Sequence, residues 1–160
     1  MTSESVHRVV YDTMVFFQWA ALPEGRQHGT AKAVLEGSVH LCLSLDLLSE
    51  IKDLLTRPAI VARTKSLTPD RVDRFLEAIL QHAEMLPSVP NVFSWAQHPD
   101  DDHLFNLAIH AKAKYLVTWE SRILKLATDQ TQDATRLRQL APNLEIITPK
   151  ILAGKLRNPE

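Results

Sequence analysis

The apolar positions of the chain fall into short β-rich runs separated by stretches of helical period. Val9-Val10-Tyr11 is the first run, stopped by Asp12-Thr13, and Met14 to Leu22 then reads as a helix ending at Pro23. Gly29 to Glu36 has a helix's composition and stops at Gly37, and His40 to Leu43 is a second apolar run closed by Ser44. Leu45, Leu48, Ile51, Leu54 and Leu55 recur at helical spacing until Arg57-Pro58 breaks the pattern. Thr68-Pro69 supplies a cap and a first-turn proline for a further helix, with Val72, Phe75, Leu76, Ile79, Leu80 and Ala83 on one stripe. Met85 to Val92 carries Pro87 and Pro90 and is expected to be a short edge strand or a loop.

Later in the chain, Asp100-Asp101-Asp102 put acids at the positive end of a helix bearing Leu104, Phe105, Ala108 and Ala111. Tyr115 to Thr118 reads as a strand, Ser121 to Ala127 as a short helix and Glu145 to Ile147 as a last strand, after which Thr148-Pro149 opens a terminal helix. Strands separated by helices pair in parallel through right-handed crossovers. The expected fold class is therefore α/β, a three-layer α/β/α arrangement around a mostly parallel sheet of about four or five short strands. Neither a repeat nor a linker divides it, so residues 1–160 are expected to form one domain.

Composition narrows the function. With 45% apolar and 23% charged residues the chain can bury a core, and no apolar run approaches the roughly 20 residues that span a bilayer. Met1 to Val10 contains no signal-peptide block, so the expected location is cytoplasmic. The single Cys42 excludes an internal disulfide and a cysteine-based zinc site, and reads as core filler in a reducing compartment. Eighteen basic against nineteen acidic side chains is not the excess of a typical nucleic-acid binder. If four acids lie in a metal-neutralised pocket, however, 18 against 15 leaves the remaining surface at plus three.

The acids stand where chemistry is expected, because open parallel sheets bind ligands beyond the carboxyl ends of their strands. Asp12 ends the first strand, Glu120 follows the Tyr115 to Thr118 strand by two residues, Asp100 to Asp102 begin the helix leading into that strand, and Glu50 lies one turn into the helix after the second. Such a cluster repels itself unless protonated or neutralised by a divalent cation, and hard oxygen ligands suit magnesium or manganese. Each acid taken singly also has a plainer reading: Asp12 as a helix cap, the aspartate triplet as a dipole-complementing helix start, Glu50 and Glu120 as solvated side chains.

Three blocks of the sequence carry a resemblance. Val9-Val10-Tyr11-Asp12-Thr13 is similar to the first strand and metal-binding aspartate of the PIN domain family, and within it to the branch of toxin components of toxin–antitoxin pairs. Ser44-Leu45-Asp46-Leu47-Leu48-Ser49-Glu50, followed by Leu54-Leu55-Thr56-Arg57-Pro58, resembles that family's glutamate helix. His98-Pro99-Asp100-Asp101-Asp102, Leu104-Phe105, Leu107-Ala108, Ala113, Tyr115-Leu116-Val117-Thr118 and Glu120 resemble its second half, where Asp102 and Glu120 keep the family's spacing of 18 positions. The resemblance spans roughly Arg8 to Pro149 and implies a metal-dependent endoribonuclease. By it, Asp12, Glu50 and Asp102 would hold a Mg2+ or Mn2+ ion, Glu120 would stand in the place of the family's usual aspartate, and Asp101 is the reserve ligand. The bound cation would polarise the scissile phosphate and generate a hydroxide, so that no side chain need attack. RNA as substrate, a cognate antitoxin protein and a homodimer are the partners it implies.

Met14 stands where the family pattern has asparagine, and Trp119 where it has a small residue. These two departures motivate the alternative of a catalytically weak PIN-like module that binds RNA or a protein. A phosphoacceptor reading of Asp12 is disfavoured because Met14 occupies the second acid of the Asp-x-Asp signature. Trp119 either stacks on a base, covers apolar surface or narrows the entrance, with packing and partial pocket lining the favoured reading. His98 and His103 flank the aspartates; Thr13 and Thr118 are placed to hydrogen-bond them, and Lys52, Arg57, Arg63, Lys65 and Arg122 are either phosphate contacts or scattered surface cations. Val15, Phe16, Phe17 and Trp19 read as core, with part of the patch open to a dimer or antitoxin interface.

Overall fold

Five short strands, β1 (Arg8–Tyr11), β2 (His40–Ser44), β3 (Ala83–Leu86), β4 (Tyr115–Val117) and β5 (Glu145–Ile147), make one sheet in the order β3-β2-β1-β4-β5. Every pairing is parallel: Val9 stands beside Leu41, Val10 beside Leu116, Leu43 beside Met85 and Leu116 beside Ile146. The computed structural model describes residues 6–22 and 29–158. In the central strand Val9, Val10 and Tyr11 have no exposed surface, the continuous apolar run required of a parallel strand covered on both faces.

The covering helices are α1 (Thr13–Ala21), α2 (Gly29–Leu35), α3 (Leu45–Thr56), α4 (Pro58–Arg63), α5 (Pro69–His82), α6 (Asp102–His110), α7 (Ser121–Leu124), α8 (Gln132–Leu140) and α9 (Pro149–Arg157). They complete a three-layer α/β/α fold in which α1 packs on α3 and α5, α2 on α9, and α6 against β1 and β2. Side-chain oxygens start many of these helices: Ser44, Thr68, Thr131 and Thr148 each accept from a backbone N–H three residues on. After α2 the chain reverses through Gly37 at φ 75°, where Gly37 N–H donates to Val34 and Ser38 N–H to Ala33. Cys42 is buried in β2, and burial pushes its thiol up to about 11, as expected of inert filler.

Several elements differ from the sequence pattern. Pro58 does not merely end α3; it occupies the first turn of α4, a helix that the pattern does not announce because none of its residues is buried. Of the Met85 to Val92 segment, expected as a short edge strand or a loop, only Met85 and Leu86 lie in the edge strand, which begins at Ala83 directly after α5, so Ala83 belongs to the sheet and not to the helical stripe. Leu80 and Leu45, placed on apolar stripes, are 48% and 57% exposed. Pro99–Asp101 form a 3-10 turn, so α6 starts only at Asp102, and the expected helix from Ser121 to Ala127 divides into α7 and a 3-10 turn over Lys125–Ala127. Helix α8 was hidden by its composition: only Ala134 and Leu137 of QDATRLRQL are buried. Pro23, the expected end of α1, lies outside the described residues. Among the described residues no helix is long and apolar enough to cross a membrane.

Candidate active site

Connections leave β1 toward β2 on one side and return to β4 on the other, so the strand order reverses between β1 and β4. The crevice beyond the carboxyl ends of these two strands is the switch point at which doubly wound sheets take ligands. Asp12 stands in it as the cap of α1. Its Oδ1 accepts from Thr13 N–H at 2.7 Å and its Oδ2 from the Thr118 hydroxyl at 2.8 Å, one contact local and one from across the crevice. The side chain is buried. Burial raises its pKa, the bonds from Thr118 and Thr13 work against the rise, and the charges of Asp101 and Glu120 add to it.

Thr118 also orders the start of α7, its hydroxyl accepting from Glu120 N–H at 3.0 Å. Glu120 and Asp101, from two separate segments, are joined by one guanidinium: Arg122 donates to Glu120 Oε2 at 2.8 Å and to Asp101 Oδ2 at 2.9 Å. Glu50 reaches the same neighbourhood from α3. Its Oε1 accepts from the Thr13 hydroxyl at 2.8 Å and its Oε2 from His103 Nε2. That imidazole hydrogen bond holds the Glu50 carboxyl below its usual range, against the effect of burial and with help from Thr13 and the charge of Arg57. Burial pulls His103 down, but the Glu50 bond and the charges of Glu50, Asp46 and Asp101 lift it above its ordinary value. The lift is opposed by a buried His103 Nδ1 that has no hydrogen-bond partner among the described residues, since an imidazolium would carry an unmatched N–H there.

The structure thus brings Asp12, Asp101 and Glu120 into one another's field and links Glu50 to Asp12 through Thr13. Asp102 is engaged by the segment before the 3-10 turn, its Oδ1 accepting from Trp95 N–H at 2.7 Å and its Oδ2 from the Ser94 hydroxyl at 3.2 Å. Among the described residues no three His, Cys, Asp or Glu side chains stand close enough to hold a metal ion between them. Like charges separate the carboxylates, and hydroxyls, backbone N–H groups, an imidazole and a guanidinium take up part of each. The donors nevertheless fit a divalent cation in kind. They are carboxylate oxygens, each with lone pairs beyond those already engaged, and their uncompensated charge at the crevice is what a hard cation relieves.

Two residues that hold the site together were not evident as such in the sequence. Asn106 is buried on α6 and makes four hydrogen bonds: Oδ1 accepts from Val92 and Phe93 N–H, both at 2.9 Å, and Nδ2 donates to the carbonyls of Phe93 and Asp102, both at 3.0 Å. The clue was an amide between Phe105 and Leu107, all three buried. Arg122 was read only as one cation among several, although its position two residues after Glu120 put it within reach. Trp119, expected to pack and partly line the pocket, is 42% exposed, its Nε1 donates to Gln18 Oε1 at 2.7 Å, and it lines neither the groove past Asp102 nor the cavity beside Arg122. Met14 is likewise exposed, and His98 packs edge-on against Trp95 with ring centroids 4.6 Å apart. A groove of about 580 Å³ runs past Phe93, Ser94, Asp102, His103 and Arg136, and a cavity of about 430 Å³ opens beside Gln97, His98, Arg122 and Lys125.

No curated protein matches the sequence. The PIN domain does, over residues 8–122, a stretch that includes each of the acids described above and ends at Arg122, short of the Pro149 to which the sequence resemblance extended. That match covers more than half of the chain and its order of acids follows the strands of the observed sheet; the chain belongs to the PIN domain family, a nuclease-type fold whose members generally depend on divalent metals.

Proposed function

We propose that the protein is a metal-dependent endoribonuclease that hydrolyses RNA phosphodiesters, the toxin of a toxin–antitoxin pair, acting in the cytoplasm as one domain over residues 1–160. The observation that carries the reading is Asp12: a buried carboxylate at the β1–β4 switch point, raised by burial and by the charges of Asp101 and Glu120. A fold gains no stability from keeping such a group in such company, and divalent-cation chemistry is what the arrangement suits. Asp12, Glu50, Asp102, Glu120 and Asp101 are the ligand candidates. Asp101 has support from its charge acting on Asp12 and its shared guanidinium with Glu120, and Asp102 would ligate through lone pairs left beside its bonds from Ser94 and the Trp95 N–H.

Mg2+ or Mn2+, when bound, supplies Lewis acidity toward a phosphate oxygen and acidifies a water. The protein's own part is positioning. Thr13 and Thr118 fix the two Asp12 oxygens, His103 and Thr13 fix those of Glu50, and the short β4–α7 link carries Glu120 to the same edge. The methylene by which Glu120 exceeds an aspartate lengthens its reach across the crevice. A homodimer and a cognate antitoxin complete the proposal, with support from the family resemblance and from Phe17 and Trp19 on α1, which pack on the core while remaining part-exposed.

The test is RNA cleavage by the purified protein with Mg2+ or Mn2+ and again with EDTA; the reading expects cleavage only with the cation. A second reading, an RNA- or protein-binding module with weak catalysis, draws on a specific observation: every ligand candidate already has a protein hydrogen-bond partner. It expects RNA binding that survives EDTA and no cleavage under either condition.

A further inference from the structure

Several arginines of this fold are tied to backbone carbonyls, Arg8 to Glu84 as well, while Arg57 and Arg74 each pair with an acid one helical turn earlier in the chain. Arg8 donates to the Ala111 carbonyl, Arg71 to Ala20, Arg136 to Val92, and Arg138 to both Leu126 and Asp129. These side chains brace loops, and their positions follow from the carbonyls they satisfy. Arg122 differs. Its two terminal nitrogens go to two carboxylates and to no backbone group: one to Glu120 and the other to Asp101. The side chain is 41% exposed and starts from α7, a helix of only four residues. It also borders the cavity of about 430 Å³ lined by Gln97, His98 and Lys125 together with the acids Asp129 and Asp133. A guanidinium held, among the described residues, by two candidate ligands occupies the electrostatic place of a divalent cation, and its planar fork matches a phosphate as well as it matches a carboxylate.

We propose that Arg122 is the exchangeable counter-cation of the Asp101–Glu120 pair: it holds both carboxylates while no divalent cation is bound, releases them when one enters, and then engages a phosphate oxygen of an RNA strand lying in the adjoining cavity. The inference rests on the nuclease reading above. It makes Arg122 a positioning residue for the cation and a substrate contact only afterwards, and it gives cation binding and RNA binding a shared dependence on one side chain. The exchange transfers no electrons and breaks no covalent bond; two charge-assisted hydrogen bonds to carboxylates are given up and are replaced by bonds to a phosphodiester.

The test begins with calorimetric Mn2+ titration of the full chain without RNA, comparing wild type, Arg122→Gln, Arg122→Lys and Lys125→Gln. Arg122→Gln should bind Mn2+ about tenfold more tightly, and Lys125→Gln, which removes the same charge close by without breaking a carboxylate bridge, should change affinity less than about threefold. Arg122→Lys keeps the charge but cannot fork between two acids, and it should also bind more tightly than wild type. A second measurement follows binding of a 2′-deoxy oligonucleotide, which lacks the hydroxyls of RNA but keeps its phosphates. Arg122→Gln should weaken it severalfold with Mn2+ present and leave it unchanged in EDTA. Equal tightening in Arg122→Gln and Lys125→Gln would reduce the effect to net charge and overturn the exchange. Mn2+ affinity unchanged in Arg122→Gln would overturn it while leaving the nuclease reading intact, whereas no Mn2+ binding in any of the four proteins would remove both.

Discussion

The two edges of the sheet treat their charges in opposite ways. At the amino ends of the strands acids and cations are matched: Glu84 accepts from Arg8 at 2.9 Å and from His40 at 2.9 Å, and Glu145 lies 2.8 Å from Lys114 and 3.5 Å from Lys155. The Glu84 carboxyl is accordingly held down to about 2, with the Arg8 hydrogen bond as the foremost cause. At the carboxyl ends, Asp101 and Glu120 share the guanidinium of Arg122, while Asp12 is bonded by Thr13 and Thr118 and its pKa is pushed up rather than down. One edge uses charge to close the fold, the other leaves charge unbalanced. A sheet that can build the first arrangement has no structural need of the second, which is the physical argument that the carboxyl edge is reserved for a ligand.

The most severe test of that contrast is Asp12→Asn. It should lower cation-dependent RNA cleavage by at least about a hundredfold while leaving the melting temperature equal or higher, because a repelling buried charge is removed, the amide oxygen still accepts from Thr13 N–H, and the amide NH2 donates to the Thr118 hydroxyl oxygen in place of accepting from it. Full cleavage by the variant, or a large fall in Tm, would erase the distinction between the edges. Next in size is Asn106→Ala, which separates polar groups that hold the carboxyl edge from charged groups that work there. It strands the buried Phe93 N–H and its neighbours at a cost of about 3 kcal/mol, which in a chain of this length lowers Tm by roughly 6 to 12 °C in a thermal melt.

A smaller effect is expected at the amino edge. Glu84→Gln should cost less than about 1 kcal/mol at neutral pH, since the side chain is 42% exposed and solvent screens the pair. Its signature is in acid. Because the Glu84 carboxyl falls from 4.5 to about 2 on folding, its stabilisation is present above about pH 4.5 and is lost as pH drops toward 2, so Tm measured across that window should fall less steeply in the variant. An unchanged acid limb would show that this network does not stabilise the fold. The smallest stability change is expected for Trp119→Ala, about 1 kcal/mol or less, with the part-exposed indole lost from RNA binding at roughly 1 kcal/mol, the low end for a base–aromatic stack. Binding assays and melts on the same protein check both, and a Tm loss larger than that of Asn106→Ala would make Trp119 a core residue.

The alternation of apolar runs and helical stripes determined a great deal. A run such as Val9-Val10-Tyr11 has to be covered on both faces, so its strand, its parallel partners and the acid at its end follow from local pattern. Caps at Thr68 and Thr148 were equally local, because the oxygen that caps and the N–H it accepts from are three residues apart. Elements with little to bury, α4 and α8, left no stripe to read. What only the tertiary structure decided is which partners the adjacent acids Asp101 and Asp102 meet. Neighbouring residues on a turn point in different directions, and each meets a partner from another segment: Arg122 for Asp101, and Ser94 and Trp95 of the preceding loop for Asp102. The same holds for the Thr118 bond to Asp12, which spans 106 positions and exists only because β1 and β4 are neighbours. Periodicity encodes which face of an element is buried; it carries no record of which polar groups meet once the faces are closed.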